Sequence, residues 1–114
     1  MPTLPAVTDP RCTHVGITLP HSGAELRGAI TIYGSSSIQD FSFYKVEYST
    51  SDQPNLWHAI SDVFRNQVVN GVLEIWNTPA FPDGEYNLKL TVVDNSGHEV
   101  CKSVVSGLII ANGR

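Results

Sequence analysis

Charge is scarce in this sequence. Charged residues are 16% of its 114 positions, where an average soluble domain has about a quarter. The seven Lys and Arg residues are scattered and the net charge is −4. Nucleic-acid binding needs a basic face or stripe, so no nucleic-acid partner is expected. Long apolar runs are missing as well. The longest, Leu108 to Ala111, is strand-sized, far from the ~20 residues of a membrane helix, and no membrane insertion is expected. Helical periodicity is also lacking: no dozen residues keep apolar positions at i, i+3, i+4 and i+7. The best helical candidate, Leu56 to Phe64, fits a strand or loop equally well. There are two cysteines, Cys12 and Cys101. They form no CxxC pair, and a zinc site needs more ligands at closer spacing. A disulfide or two free thiols remain, and no metal or cofactor is expected. The first ten residues, MPTLPAVTDP, carry three prolines, no basic residue and no long apolar stretch. They read as an extended linker over 1–10, not a signal peptide, ahead of one domain over 11–114.

What the sequence does have is strands. Val15, Ile17 and Leu19 alternate before Pro20, and His21 to Ala24 reads as a turn. Leu26 to Tyr33 is predicted as one strand with Leu26, Gly28, Ile30 and Ile32 on one face. Phe41 to Tyr48 is a third, and Phe41 and Phe43 are out of phase with Tyr44, Val46 and Tyr48, which predicts a bulge near Ser42. Asp52 to Asn55 reads as a loop and Leu56 to Ile60 as a short edge strand. Val68-Val69, Asn70-Gly71 and Val72 to Trp76 predict a hairpin, since Asn-Gly between β-branched runs is the strongest short-range hairpin signal. Pro79 to Gly84 is a loop. Tyr86, Leu88, Leu90 and Val92 then alternate with polar neighbours. Asp94 to Gly97 is a turn. Val100 to Ala111 is the last strand, with Gly107 a candidate bulge. About seven antiparallel strands with turns every 8–12 residues predict an all-β sandwich. The expected core is Val15, Ile17, Leu19, Leu26, Ile30, Ile32, Tyr44, Val46, Tyr48, Leu73, Ile75, Tyr86, Leu88, Leu90 and Val92.

The phrase Pro82-Asp83-Gly84-Glu85-Tyr86 feeding an alternating strand looks like the tyrosine corner of Greek-key sandwiches. Leu88 stands where antibody domains have their second cysteine, so an antibody-type core is not expected. Further phrases are Ile17-Thr18-Leu19-Pro20, Ile30-Thr31-Ile32-Tyr33-Gly34, Phe43 to Tyr48, Val69 to Leu73, Trp76-Asn77-Thr78 and Thr91 to Asp94. Together, over nearly all of the chain after Arg11, they resemble bacterial immunoglobulin-like or fibronectin III-like modules. Such modules are appended to exported proteins such as penicillin-binding proteins and secreted hydrolases. Asn77 departs from the pattern, where Asp is expected. The resemblance implies an immunoglobulin-like Greek-key sandwich and an accessory module without catalytic residues of its own. It also implies a pairing of the cysteines. In such sandwiches the first strand can run parallel to the last, so that Cys12 and Cys101, each opening one of them, would come within bridging distance. A bridge implies an oxidising, extracytoplasmic location.

Ser35, Ser36 and Ser37 lack a nucleophile-elbow context, and His14, His21, His58 and His98 are dispersed. Asp62, Glu74, Asp83 and Asp94 are distributed as ordinary turn and surface acids, so no enzyme is expected. Asp94, Asn95 and Glu99 share a loop that suits a turn better than a calcium site. Tyr33, Phe41, Trp57 and Trp76 are the candidate ligand-facing aromatics for a glycan, against the reading that the tryptophans fill the core. The expected function is therefore a non-catalytic spacer or protein-interaction module. Its partners are neighbouring domains or other envelope proteins. The alternatives are a carbohydrate-binding module, and a self-assembling subunit in which the N-terminal segment donates a strand.

Overall fold

A computed structural model describes residues 9–113. The linker expected over 1–10, and with it the donor-strand option, lies mostly outside the described residues. Asp9 caps a 3-10 turn, Pro10–Cys12, by accepting from the Arg11 backbone N–H.

Eight strands follow, one more than about seven: β1 (Gly16–Leu19), β2 (Glu25–Leu26), β3 (Ala29–Ser35), β4 (Phe41–Thr50), β5 (Gln53–Ala59), β6 (Gly71–Asn77), β7 (Gly84–Asp94) and β8 (Glu99–Ile110). They form a small sheet, β1-β3-β6, and a large sheet, β2-β8-β7-β4-β5. The protein is an all-β sandwich. Among the described residues the only helical pieces are two 3-10 turns.

The extra strand arises at Gly28, which sits at φ +67, a conformation glycine adopts freely. The run from Leu26 to Tyr33 breaks there. β2 joins the large sheet parallel to β8, and β3 joins the small sheet between β1 and β6. The Gly28 N–H donates to Asn112 Oδ1 at 2.8 Å and its carbonyl accepts from Thr78 Oγ1 at 2.6 Å, which fixes the switch.

The expected bulge at Ser42 is present: Phe41 pairs Asp94 and Phe43 pairs Val93. The bulge at Gly107 is present too, with Tyr86 opposite Leu108 and Leu88 opposite Val105. The hairpin is elsewhere than expected. Thr50 pairs Gln53, so the tight turn is Ser51-Asp52 between β4 and β5. Strand β5 begins at Gln53, inside the segment expected to be a loop. Pro54 is tolerated because β5 is an edge strand. Val68-Val69 is no strand. Asn70, at φ +48, instead turns the chain into β6.

Between the sheets lie Leu26, Ile32, Tyr44, Val46, Leu73, Tyr86, Leu88, Leu90 and Val92, all buried, with Val15, Ile17, Ile30 and Tyr48 packed against them. Trp76, Ile38, Cys101, Val105, Leu108 and Ile110 complete this core. Tyr44 ties the layers together by donating its hydroxyl to Leu73 O at 2.7 Å. Two expected core residues are outside: Leu19 is 43% and Ile75 59% exposed. Each follows a bulge. In β6, Ile32 pairs Glu74 and Tyr33 pairs Val72, leaving Leu73 unpaired. The phase slips by one residue there, so Leu73 and Trp76 both face inward and Ile75 faces out. In β1 the pairs Ile17–Gly34 and Leu19–Tyr33 leave Thr18 unpaired, with the same result.

Candidate functional site

The two slips put Leu19 and Ile75 on the outer face of the small sheet. Leu19, Tyr33 and Val72 lie in one cross-strand row over all three strands of the small sheet, and Ile75 opposite Thr31 extends it by one step. Tyr33 is 41% and Val72 47% exposed. Ala29 and Asn77, one step further, are also exposed and uncharged. A solvated sheet face normally alternates to polar residues, and a contiguous apolar patch marks a contact surface.

The outer face of the large sheet carries charged side chains, with Val104, 53% exposed, opposite Lys89. Lys45 lies 3.9 Å from Glu47 and 3.4 Å from Glu99, Lys89 lies 3.9 Å from Glu47, and Lys102 lies 3.5 Å from Glu99. Burial raises the Glu99 pKa, but bonds and charges from Lys45 and Lys102 outweigh it and hold the carboxyl below its ordinary value. Lys89 also sits 4.5 Å over the Trp57 ring. Beneath this ladder Thr91 Oγ1 is buried without a hydrogen-bond partner. The exposed pair of Lys102 and Glu99 stabilises little, whereas Glu47 and Lys89 are largely covered, at 14% and 17% side-chain exposure.

The four candidate aromatics are not brought together. Tyr33 is on the small-sheet face. Trp57 is half-buried on the far side of the sandwich, beside Lys89. Phe41 is half-buried with its ring 6.4 Å from that of Tyr44. Trp76 is fully buried, with ring centroids 5.6 Å from Phe81, 5.7 Å from Tyr86 and 6.2 Å from Tyr48, and faces no ligand. Its place follows from the β6 bulge, which turns its side chain inward.

Tyr86 donates its hydroxyl to Pro82 O at 2.7 Å, while Gly84, at φ +152, makes the bend between them. Burial raises the Tyr86 pKa. Cys12 and Cys101 form a disulfide with Cα atoms 5.6 Å apart, which fits an oxidising, extracytoplasmic setting. The geometry behind it differs from expectation. Cys12 ends the 3-10 turn instead of opening a strand, and the parallel neighbour of β8 is β2.

The loop serines and acids are engaged within the fold. Ser36 Oγ accepts from the Val68 N–H at 2.9 Å, Ser35 Oγ from the Asn70 N–H at 2.9 Å, and Ser37 Oγ lies 3.1 Å from Gln67 Oε1. His14, Ser35, Ser37, Val69 and Asn70 line a shallow depression of about 310 Å³. Asp94 Oδ1 accepts from the Ser96 and His98 backbone N–H groups, and its Oδ2 from Arg11 at 3.4 Å. Burial raises the Asp94 pKa, but these donors outweigh it and hold the carboxyl below its usual range. Its oxygens are thereby taken up, and the described residues contain no cluster of three or more metal-ligating side chains. Glu74 is buried too, accepting from Ser61 Oγ at 2.6 Å and from the Ile75 N–H at 3.0 Å, and so caps the free edge of β6.

Sequence reasoning missed the apolar face because it assigned Leu19 and Ile75 to the core. The sequence carries no signal of the slip: Glu74, flanked by Leu73 and Ile75, reads as the outward residue of a regular strand, which hides the change of phase. No protein-family model matches the chain, and no curated protein matches it.

Proposed function

We propose that this chain is a non-catalytic accessory module of the immunoglobulin/fibronectin III type that spaces and docks neighbouring parts of an exported or cell-envelope bacterial protein. Support for a Greek-key topology comes from the strand order, with β1-β3-β6 against β2-β8-β7-β4-β5, and from the Tyr86 corner. The disulfide supports export. The observation that carries the docking reading is the uncharged apolar face of Leu19, Tyr33, Val72 and Ile75. Burying it removes apolar area from water without stripping water from any charge. Four half-exposed side chains fall short of the ~800 Å² per partner of a free-standing complex. They suit contacts between tethered domains, where effective concentration is in the millimolar range.

A photo-crosslinking scan tests this. A photoreactive residue at position 33, 72 or 75 is expected to give adducts with protein. One at Leu56, 50% exposed on the edge of the large sheet, is not. Adducts only with a second copy would favour the self-assembling alternative. Perturbation of the Trp57 indole by soluble cell-wall oligosaccharides would favour the glycan-binding one. Absence of adducts at all three positions would remove the docking role.

A further inference from the structure

We infer that the Cys12–Cys101 bridge makes the module an inextensible tether, in which tension between the two chain ends runs through the disulfide and along β8 and leaves the rest of the fold unloaded. The inference rests on the spacer reading for its use, but its geometry stands alone.

Cys12 is joined to Cys101, the third residue of β8. Just before it, Arg11 Nη1 donates to Gln39 O at 3.2 Å and to Asp94 Oδ2 at 3.4 Å, where β7 ends. The chain leaves at the other end of the sandwich, where β7 begins. There Asn112 N and Gly113 N donate to the Asp83 carboxylate at 3.0 and 3.1 Å, and Asn112 Oδ1 accepts from the Gly28 N–H. The continuous strand β8 spans the two points, about 30 Å at ~3.3 Å per residue from Cys101 to Ile110. Residues 13–100 therefore form a closed loop hung on the side of this path. Both loading points lie on one strand, so the tension is carried by the β8 backbone itself and does not slide β8 past β7, whose ladder bonds run across the direction of pull. Without the bridge, the same tension would enter at β1, a strand of four residues, and peel the small sheet first.

Single-molecule pulling on the full chain, with handles at both ends, tests this. With the bridge intact by mass, no length step is expected at forces that open the bridge-free molecule. In the Cys12→Ser/Cys101→Ser variant, or in folded molecules reduced in place, unfolding should release about 300 Å. This is the 89-residue separation at ~3.4 Å each. The reduced molecules keep the test valid where the variant does not fold. A length step in bridged molecules would overturn the inference by showing that β8 peels. Identical traces with and without the bridge would overturn it as well. Failure of the docking part of the proposed function would appear in the crosslinking pattern and leave the traces unchanged.

Discussion

Replacing the two tryptophans should have very different costs. Trp76 is fully buried against three aromatic rings, two of them edge-on. Truncating a buried Trp to Ala costs about 3–5 kcal/mol, and each well-placed aromatic pair adds ~0.5–1.5 kcal/mol beyond area. One effect opposes this. The Trp76 Nε1–H has no hydrogen-bond partner, and a buried unpaired donor costs about 1–3 kcal/mol, which the truncation relieves. Trp76→Ala should therefore destabilise by about 4 kcal/mol. Trp57 is half-buried and its ring contact is with Lys89, a cation–π pair of ~0.5–1 kcal/mol. Trp57→Ala should cost about 1 kcal/mol. The gap of ~3 kcal/mol is more than a hundredfold in the folding constant. Trp76→Phe isolates the orphan donor: it leaves a small cavity but removes the N–H, and should cost only about 1–2 kcal/mol. Urea denaturation followed by far-ultraviolet circular dichroism reads all three, since the slope is set by the area exposed on unfolding. If Trp76→Ala lies within 1 kcal/mol of Trp57→Ala, the inward assignment of Trp76 is wrong, and with it the β6 bulge.

Three further outcomes follow from the same geometry. Gly34→Ala would place a methyl on the Gly16 carbonyl oxygen and against Leu73; it should cost several kcal/mol, on the scale of overpacking in a rigid site, and show as lost hydrogen-exchange protection in β1. Tyr86→Phe removes a neutral hydrogen bond to Pro82 O and should cost about 1 kcal/mol in urea denaturation. The lowered Asp94 pKa stabilises the fold above the ordinary carboxyl value near 3.9, and this contribution is lost as pH falls through the lower folded value. Asp94→Asn should flatten the stability profile below about pH 4, and an unchanged acid limb would argue against the Arg11–Asp94 clamp.

Legibility in the sequence depended on whether a backbone irregularity leaves a residue signature. The bulge at Ser42 did, because Phe41 and Phe43 sit out of phase with Tyr44 and Val46, and the one at Gly107 did through its glycine. The bulges at Thr18 and Leu73 did not, because threonine and leucine are ordinary strand residues. Leu73-Glu74-Ile75 then reads as a clean alternation whose phase is wrong by one. That slip decided the candidate site, since it exchanges Ile75 for Trp76 at the core. The Asn70-Gly71 signal was real as a positive-φ turn, but tertiary contacts from Ser35 and Ser36 hold the preceding segment as a loop, so no hairpin closes there. The cysteine pair was legible, but the strand expected to align it was the first, whereas the strand that runs parallel to β8 is β2, two residues long and visible only once Gly28 broke the run.

The two outer faces impose an orientation on whatever the module contacts. Covering the large sheet would strip water from Lys45, Lys102 and Glu99, whose mutual attraction at the surface returns little of that cost. Covering the small sheet strips water from no charged group and buries Leu19, Tyr33, Val72 and Ile75. A docked neighbour should therefore sit on the small sheet. The strand that joins the two anchor points, β8, belongs to the large sheet. The proposed docking face and the proposed path of tension thus lie on opposite layers of the sandwich. Introducing Val72→Lys should abolish docking while leaving pulling traces of the bridged chain unchanged. A variant that altered both together would show that the two layers are not independent.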